Sequence, residues 1–429
     1  MLKKSILTGV VVFQAVLAGT VASAAEFNVS NGQQFRDALA QAADNDQDDV
    51  INMAEGVYAP EGNIFEYLAD ATANSEENFK LTIQGAGADS TVFDGGDASA
   101  ILFLSSFLLA NDANVRFEVR DVAFQNGYVG DWDGAGLAAL TRSGSILVER
   151  VKFFDNEVTA DDWWGGGLDA YSETGAITLS RSYFSGNRAG HGGGASLTSL
   201  GGEILAVNNI FEGNTANGDG GGLQIGHVDP DGQNIAVVNN TFFNNAGGEG
   251  GGALVFGSGN LVANVYNNIF QANQAPAGDD LFYYDEVGGG LLSFTMNVYS
   301  NLVGPVADNC GDGSCQTRIN RGESIGGDAL FADPSNDNFE LLQNSPAVDA
   351  GSVSAPGLPA EDYEGNPRQF GTGPDMGALE SEFSLSVSEP NPEIGGGGCA
   401  LAPVGAASSG MAWWTAILAS LLGLRFRRR

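Results

Sequence analysis

The fold is decided by a pattern whose third copy, from Gly192 to Asn214, reads GGGASLTSLGGEILAVNNIFEGN. Residues 134–273 repeat this pattern five times, each time with a glycine run, a short apolar segment, a turn, an apolar alternation and Phe-x-x-Asn. The phenylalanines recur at steps of 31, 27, 31 and 28 residues: Phe153, Phe184, Phe211, Phe242 and Phe270. Repeats of this length that consist of short strands predict a solenoid.

Apolar residues alternate with polar ones in each copy, which indicates strands with one face turned inward. Stacked coils then form parallel sheets, with a phenylalanine stack and an asparagine amide ladder inside and positive-φ glycines in the turns. Residues 31–43 have helical apolar spacing and predict a helix that caps the first coil. The predicted fold is an all-β, right-handed parallel β-helix solenoid with an N-terminal helix cap. A propeller blade needs about 40 residues, and leucine-rich repeats need a leucine spacing that is absent here.

The element Asn-Asn-x-Phe stands at residues 208–211, 239–242 and 267–270. With the glycine runs, it resembles the coils of right-handed parallel β-helix proteins of the pectate-lyase-like superfamily, in particular bacterial surface proteins. The resemblance covers roughly residues 26–304 within a domain predicted at 25–304. It implies the fold and says little about activity.

From residue 301 the pattern changes to five short elements: residues 328–334, 338–341, 345–351, 362–368 and 375–380. Their order resembles the choice-of-anchor Q domain that ends many β-helical surface proteins. The resemblance implies a C-terminal cap, predicted at residues 305–383, that closes the open end of the solenoid.

Both chain ends have the form of targeting segments. Residues 1–24 have two lysines, an apolar run and Ala22-Ser23-Ala24, which predicts a cleaved signal peptide, with a start anchor as the alternative. A linker at 384–398 leads to Gly397, Gly398 and Cys399 and to an apolar, arginine-ended tail at 399–429. This tail resembles C-terminal sorting signals of Gram-negative bacteria, which implies a sorting protease and a surface-anchored or released product. A plain transmembrane anchor is the alternative.

The net charge of the chain limits the classes of molecule that it can bind. The formal net charge is −35, and the body between the two end segments carries 12 basic and 53 acidic residues, a net charge of −41. This argues against nucleic acid or an anionic membrane surface as a partner. It fits an exported protein in salty or calcium-containing surroundings, although plain solubility explains it equally well. Cys310 and Cys315 fit a small disulfide loop in an oxidising compartment.

The residues just before each glycine run should form a row along the solenoid: Asp133, Trp164, His191, Asp219 and Glu249. His191, Asp219 and Glu249 are the candidate acid/base residues. Asp131, Asp133, Asp162 and Asp219 are a candidate calcium set, since calcium prefers oxygen ligands. Trp132, Trp163 and Trp164 are candidates for stacking on sugar rings. A solvated turn without chemistry is the competing explanation.

The sequence does not decide between two functions. A structural or adhesive surface protein that binds polysaccharide, a cell surface or calcium needs no catalytic residues. A polysaccharide lyase or glycoside hydrolase would use His191, Asp219 and Glu249. The lyases that this chain resembles need a basic residue beside calcium-binding aspartates, and no arginine or lysine stands in the row. The expectation is therefore a protein without enzymatic activity, with no cofactor other than calcium.

Overall fold

The computed structural model describes residues 24–69, 77–227, 234–257, 261–285, 295–304, 306–309 and 318–384 of the 429-residue chain. Within these residues the chain winds into a parallel solenoid of three long sheets, with one α-helix at its start and a two-stranded antiparallel hairpin near its end. The predicted all-β parallel β-helix with an N-terminal helix is confirmed.

Each long sheet takes one strand from each coil. The first of the three long sheets has eleven strands: Ala25–Val29, Asp49–Met53, Lys80–Gln84, Arg116–Arg120, Ser145–Glu149, Ile177–Ser180, Ile204–Val207, Ile235–Val238, Val262–Tyr266, Thr295–Tyr299 and Arg318–Gly322. The phenylalanine sheet has eight: Gly56–Tyr58, Thr91–Asp94, Ala123–Gln125, Lys152–Phe154, Tyr183–Ser185, Ile210–Glu212, Thr241–Phe243 and Ile269–Gln271.

The third sheet, here called the glycine sheet because its strands follow the glycine runs, has nine strands: Phe65–Leu68, Leu102–Ser105, Leu137–Thr141, Leu168–Ser172, Ala195–Ser199, Leu223–His227, Ala253–Gly257, Leu281–Asp285 and Val306–Asn309. A short sheet bridges the turn between the phenylalanine and glycine sheets: Tyr128–Val129, Glu157–Val158, Arg188–Ala189 and Thr215–Ala216. The antiparallel hairpin pairs Phe331–Asp333 with Asn338–Leu341. Strands at 306–309 and 318–322 continue the solenoid past residue 304, where the sequence placed its end.

Pairing is in register from coil to coil, so one position of the repeat becomes one row along the axis. Phe153 pairs with Phe184, and Phe184 pairs with Phe211. The rings from Phe93 to Phe270 stack with centroids 4.6–5.2 Å apart and planes within 12° of parallel. All of these rings are buried. The predicted phenylalanine column is therefore the spine of the core, and each stacked pair contributes about 0.5–1.5 kcal/mol beyond its buried area.

The predicted asparagine ladder is also present. Each side-chain Nδ2 donates to the Oδ1 of the next coil at 2.9–3.0 Å, through Asn156, Asn187, Asn214, Asn245 and Asn273. A second ladder, which the sequence analysis did not anticipate, runs through Asn209, Asn240, Asn268 and Asn301 at 2.9–3.0 Å. Both ladders satisfy buried amides that would otherwise cost free energy.

The N-terminal end of the solenoid is covered by the helix Gly32–Ala42. Asn31 is its N-cap, and its side chain accepts a hydrogen bond from the amide of Gln34. Phe35 is fully buried, and its ring lies edge-on to Phe65 and Phe93 with centroids 5.1 Å apart in each case. The helix therefore covers the first ring of the phenylalanine column, as predicted.

The C-terminal residues that the structure describes contact the side of the solenoid, whereas the sequence analysis placed a cap at residues 305–383 over its open end. Residues 327–384, here called the flank segment, lie lengthwise along the outside of several coils. Arg181 pairs with Glu361 at 3.1 Å, and the Nε2 of Gln271 donates to Asp328 at 3.0 Å. Phe331 and Phe339 pack edge-on against Phe243. The flank segment takes this position because it covers the outward apolar side chains of the phenylalanine sheet.

The first asparagine of each Asn-Asn pair holds the flank segment. Asn208, Asn239 and Asn267 have φ angles of 57°, 54° and 58°, a left-handed conformation that asparagine tolerates better than most residues. This conformation turns their side chains outward while the second asparagine of each pair points into the ladder. The Nδ2 of Asn239 donates to the carbonyl of Asp375 at 2.9 Å, and that of Asn267 donates to the carbonyl of Ser352 at 3.1 Å.

Several predictions lie outside the described residues: most of the signal peptide at 1–24, the disulfide of Cys310 and Cys315, and the processing site at Gly397, Gly398 and Cys399 with its linker and tail. Among the residues that the structure does describe, none belongs to a helix with the length and hydropathy needed to cross a membrane.

Candidate ligand-binding site

The five residues that precede the glycine runs form one row, here called the turn row. The amide of each following glycine donates to the carbonyl of the next row member at 2.8–3.0 Å. The row is therefore continuous, with one residue per coil, as predicted: Asp133, Trp164, His191, Asp219 and Glu249. Neighbouring members are separated by the spacing of parallel strands, about 4.8 Å.

The glycine after each row member makes the turn that leads into the glycine sheet. Gly192 and Gly220 have φ angles of 59° and 67°, a region that favours glycine. A Cβ on Gly192 would lie 3.1 Å from the Cβ of Ser196, and one on Gly220 would lie 3.0 Å from that of Gln224. The turn thus folds the row back beside the outward face of the glycine sheet.

A second polar row lies on that outward face, here called the strand row: Asp169, Ser196 and Gln224. They pair in register on successive strands, and each stands five residues after a turn-row member. All three are buried, with 1%, 1% and 7% of their surface exposed. Sequence reasoning missed them. The available signal was the strand alternation, since a polar residue at the second position after the glycines faces away from the core.

Asp133 and Trp164, the first two members of the turn row, make their contacts with other members of the row. The Oδ1 of Asp133 accepts a hydrogen bond from the amide of Trp164 at 2.9 Å. The Trp164 ring is only 8% exposed and stacks on His191 with ring centroids 5.7 Å apart. Because His191 covers one ring face and little of the ring meets solvent, Trp164 is poorly placed to stack on a sugar.

The other two predicted aromatic residues differ in access. Trp132 is 36% exposed and lies edge-on to Phe103, with ring centroids 5.2 Å apart. Trp163 is half-buried against a small apolar cluster that includes Val158 and Ala189. Of the three tryptophans, Trp132 is therefore the best placed to meet a sugar ring.

His191 and Asp219 are in direct contact. The Nδ1 of His191 lies 3.3 Å from the Oδ2 of Asp219 and also 3.3 Å from the backbone nitrogen of Asp219. With its proton on Nε2 a neutral ring accepts the amide proton at Nδ1, whereas a ring that carries a proton on Nδ1 donates from there to the carboxylate. Gly218 permits this approach, since a Cβ there would lie 2.5 Å from the Cε1 of His191.

The row continues to Glu249, which forms a backbone bridge with Asp219. Burial, and then the charge of Asp219, raise the pKa of Glu249 to about 7. Near neutral pH the Glu249 carboxyl therefore holds a proton for part of the time. The structure thus brings together the three predicted acid/base candidates, His191, Asp219 and Glu249, on adjacent coils.

The four predicted calcium ligands do not form one site. Asp133 and Asp219 are three coils apart, roughly 14 Å at the strand spacing, while calcium needs its oxygen ligands within about 2.6 Å. Asp131 and Asp162 are exposed on the turns. In the part of the chain that the structure describes, no three His, Cys, Asp or Glu side chains are grouped to hold a metal ion.

Comparison with known proteins identifies the fold. The family described as Right handed beta helix region matches residues 105–299. No curated protein matches the chain.

Among solved structures, pectin methylesterase from carrot is similar at 12% identity over 72% of this chain and 85% of that chain, with a TM-score of 0.28. The PL6 family polysaccharide lyase Pedsa3628 from Pseudopedobacter saltans is similar at 13% identity over 75% and 97%, with a TM-score of 0.26. The PL6 family alginate lyase AlyGC is similar at 12% identity over 79% and 60%, with a TM-score of 0.24. At these values the likenesses do not bear on activity. The match to residues 105–299 and the in-register parallel sheets together show that this chain has the right-handed parallel β-helix fold.

Proposed function

We propose that this protein is an exported, surface-anchored β-helix with a structural or adhesive role that binds polysaccharide at the turn and strand rows. The observation that carries the proposal is a buried acceptor in the strand row. The Oε1 of Gln224 has no hydrogen-bond donor, and the Oδ2 of Asp219 has only the Nδ1 of His191, at 3.3 Å. Each such group costs about 1–3 kcal/mol when it stays unsatisfied. A ligand that donates hydrogen bonds would remove this cost, and sugars carry many donors.

The shape of the site supports a polymer as the ligand. Both rows run along the solenoid axis, so an extended chain lying along the turn row passes one coil at intervals of about 4.8 Å. Trp132 offers an accessible aromatic face beside the start of the turn row. Polar groups that fix orientation beside an aromatic surface are typical of small-molecule and sugar sites.

The binding test uses Gln224→Leu in the full chain, with isothermal titration of soluble polysaccharides. Because leucine removes a buried acceptor without a partner, we expect the variant to keep or raise its unfolding midpoint while it loses ligand affinity at least fivefold. If Gln224 is only structural, the midpoint falls and affinity does not change, which contradicts the proposal. Asp97→Asn is the matched control, since Asp97 is exposed and its φ of 54° suits asparagine.

Export and anchoring are proposed from residues 1–24 and 397–429. A signal peptide would deliver the body to the surface of a Gram-negative bacterium, and a sorting protease would cut near Gly397, Gly398 and Cys399. The flank segment would be the choice-of-anchor Q-like part that precedes the anchor. Mass spectrometry of the mature protein tests this: a C-terminus near Cys399 supports sorting, and an intact Arg429 contradicts it.

A second candidate is hydrolysis of a polysaccharide, which the raised pKa of Glu249 beside Asp219 favours. Two neighbouring carboxyl groups with different protonation can act as acid and base on a glycosidic bond. Depolymerisation measured by viscosity or reducing ends tests it. Turnover in the parent protein that disappears in Glu249→Gln, with binding retained, would favour the hydrolase over the binding protein.

A further inference from the structure

We propose that the interior of the first coil binds one calcium ion, with the buried carboxylates of Asp49 and Glu77 as its acidic ligands. The inference goes beyond the proposed function, because it concerns the N-terminal end of the solenoid and needs no polysaccharide. A pair of carboxyl groups that hold only protons is the alternative that the experiment below separates.

Asp49 stands at a position of the repeat that faces the core. It begins the strand Asp49–Met53 and pairs in register with Leu81 of the next coil. Asp49 is 1% exposed, so its carboxyl group lies inside the solenoid, where a charge without a partner is unfavourable. In the later coils the same column consists of apolar side chains, which include Phe117, Ile146, Ile177, Ile204 and Ile235.

Asp49 and Glu77 each have one oxygen atom without a hydrogen-bond partner among the described residues. The Oδ1 of Asp49 accepts from the Nδ2 of Asn45 at 2.8 Å, whereas its Oδ2 is buried and has no partner. The Oε2 of Glu77 accepts from the backbone nitrogen of Asp46 at 3.0 Å, whereas its Oε1 is buried and has no partner. The Glu77 side chain is fully buried. Each carboxylate is therefore held by one oxygen and leaves the other for a ligand.

A buried tyrosine lies beside both carboxyl groups. Tyr67 belongs to the strand Phe65–Leu68 of the glycine sheet and is 1% exposed. Burial, and then the charges of Glu77 and Asp49, raise the pKa of the Tyr67 hydroxyl group, which is therefore close to both. Polar groups from three separate segments of the chain thus converge inside the first coil.

The missing partner is a cation, because both atoms without a partner are carboxylate oxygens. Among the described residues, no lysine or arginine forms an ion pair with Asp49 or Glu77. One divalent ion neutralises two carboxylates. Calcium also takes backbone and amide oxygens in flexible geometry, whereas magnesium demands a near-ideal octahedron and keeps several waters. Two carboxylates are therefore enough for calcium, although no three acidic side chains are grouped in the described part of the chain.

The ion would fasten the cap helix to the first coil. Asn45 and Asp46 follow the helix Gly32–Ala42 and hold the two carboxyl groups. A ligand that binds only the folded protein raises its stability in proportion to the logarithm of the ligand concentration. Calcium should therefore raise the unfolding midpoint of the protein.

The experiment measures the unfolding midpoint of the full chain at pH 8 in EDTA, in calcium and in magnesium at equal concentration. The magnesium arm accounts for the general effect of divalent ions on an acidic chain. We expect calcium to raise the midpoint of the parent protein clearly more than magnesium does. Isothermal titration should show one calcium site per chain that magnesium occupies at least tenfold more weakly.

Two variants locate the site. Asp49→Asn and Glu77→Gln should each lose the calcium-specific shift and weaken calcium binding at least tenfold, while the control Asp97→Asn, at an exposed carboxylate, should keep both. In EDTA each of the two variants lacks a buried charge without a partner, so both should fold and unfold no earlier than the parent. Equal shifts in calcium and magnesium, or a calcium-specific shift that survives in Glu77→Gln, overturn the inference and favour a pair that holds only protons.

Terbium, which takes oxygen ligands as calcium does, tests the position of the ion. Its emission is excited by a nearby aromatic ring, so we expect Tyr67→Phe to lose the part of the emission that Asp49→Asn loses, while most of the calcium-specific shift remains. Emission in Tyr67→Phe equal to that of the parent places the ion elsewhere and overturns the inference. Neither result bears on polysaccharide binding.

Discussion

Removing one rung of the first asparagine ladder should destabilise the solenoid strongly, and Asn214 is the rung to remove. Its Oδ1 accepts from the amide and from the Nδ2 of Asn187, at 3.1 and 2.9 Å. Its Nδ2 donates to the carbonyl of Phe184 at 3.0 Å and to the Oδ1 of Asn245 at 2.9 Å. Asn214→Ala removes all four hydrogen bonds inside a fully buried site.

The magnitude follows from these contacts. The amide of Asn187 is left without its acceptor, at about 1–3 kcal/mol, and the other lost bonds contribute about 0.5–1.5 kcal/mol each. We therefore expect Asn214→Ala to lower the free energy of unfolding by about 3–7 kcal/mol. Asn214→Asp keeps the shape but replaces the donor by a buried carboxylate, so we expect it to be as harmful at pH 7 and milder near pH 4, where the carboxyl is protonated.

Urea unfolding followed by circular dichroism measures both variants. The matched control is Asn217→Ala, three residues further along the same coil. Asn217 is exposed, and its amide contacts only surface groups, Asp161 and Arg188, so its loss should change the stability by no more than about 0.5 kcal/mol. A cost for Asn214→Asp at pH 7 as small as that of Asn217→Ala would refute the ladder as a source of stability.

Four further predictions concern other parts of the molecule. Burial raises the pKa of Glu77 to about 7, above its value in the unfolded chain. The stability that the protonated Glu77 contributes is therefore present below pH 4 and is lost as the pH rises through 7. Glu77→Gln should raise the unfolding midpoint at pH 8 and not at pH 4. Phe211→Ala interrupts the ring column and should cost about 3–5 kcal/mol in urea unfolding, whereas a cost below 1 kcal/mol would contradict its role as the spine. Arg368→Met should make the flank segment sensitive to limited proteolysis, because Arg368 donates to the carbonyl of Ala378 and to Asn208 across the contact with the solenoid; unchanged cleavage kinetics would contradict this. Gly218→Ala should displace the His191 ring and weaken ligand binding without changing the net charge. Isothermal titration measures the affinity, and an unchanged affinity would contradict this prediction.

Part of the site was predictable because row membership depends only on the repeat. Once coils stack in register, the residue before each glycine run must lie next to its counterpart in the neighbouring coil, which placed His191 beside Asp219. The contacts and the burial of each side chain in the row were not predictable. Whether Trp164 faces a sugar or a histidine, and whether Glu249 is solvated or buried, depends on contacts between coils that differ from one pair to the next.

The strand row illustrates a different limit. Asp169, Ser196 and Gln224 look unremarkable in the sequence, because a polar residue on a strand normally faces water. Only the tight turn at each positive-φ glycine brings them beside the turn row and buries them. The missing hydrogen-bond donor at Gln224 is likewise a property of the packed molecule.

The sequence by itself determined the solenoid, since a period of 27–31 residues with Phe and Asn at fixed positions admits few ways to bury those side chains other than stacking. It also determined the helix at the start, through the spacing of Phe35, Ala38, Leu39 and Ala42. The tertiary structure decided where the flank segment lies. That segment packs on apolar side chains that the phenylalanine sheet turns outward and accepts hydrogen bonds from Asn239 and Asn267, so apolar side chains are buried along several coils. No local pattern in residues 327–384 encodes that choice, because it depends on which surface of the finished solenoid remains uncovered.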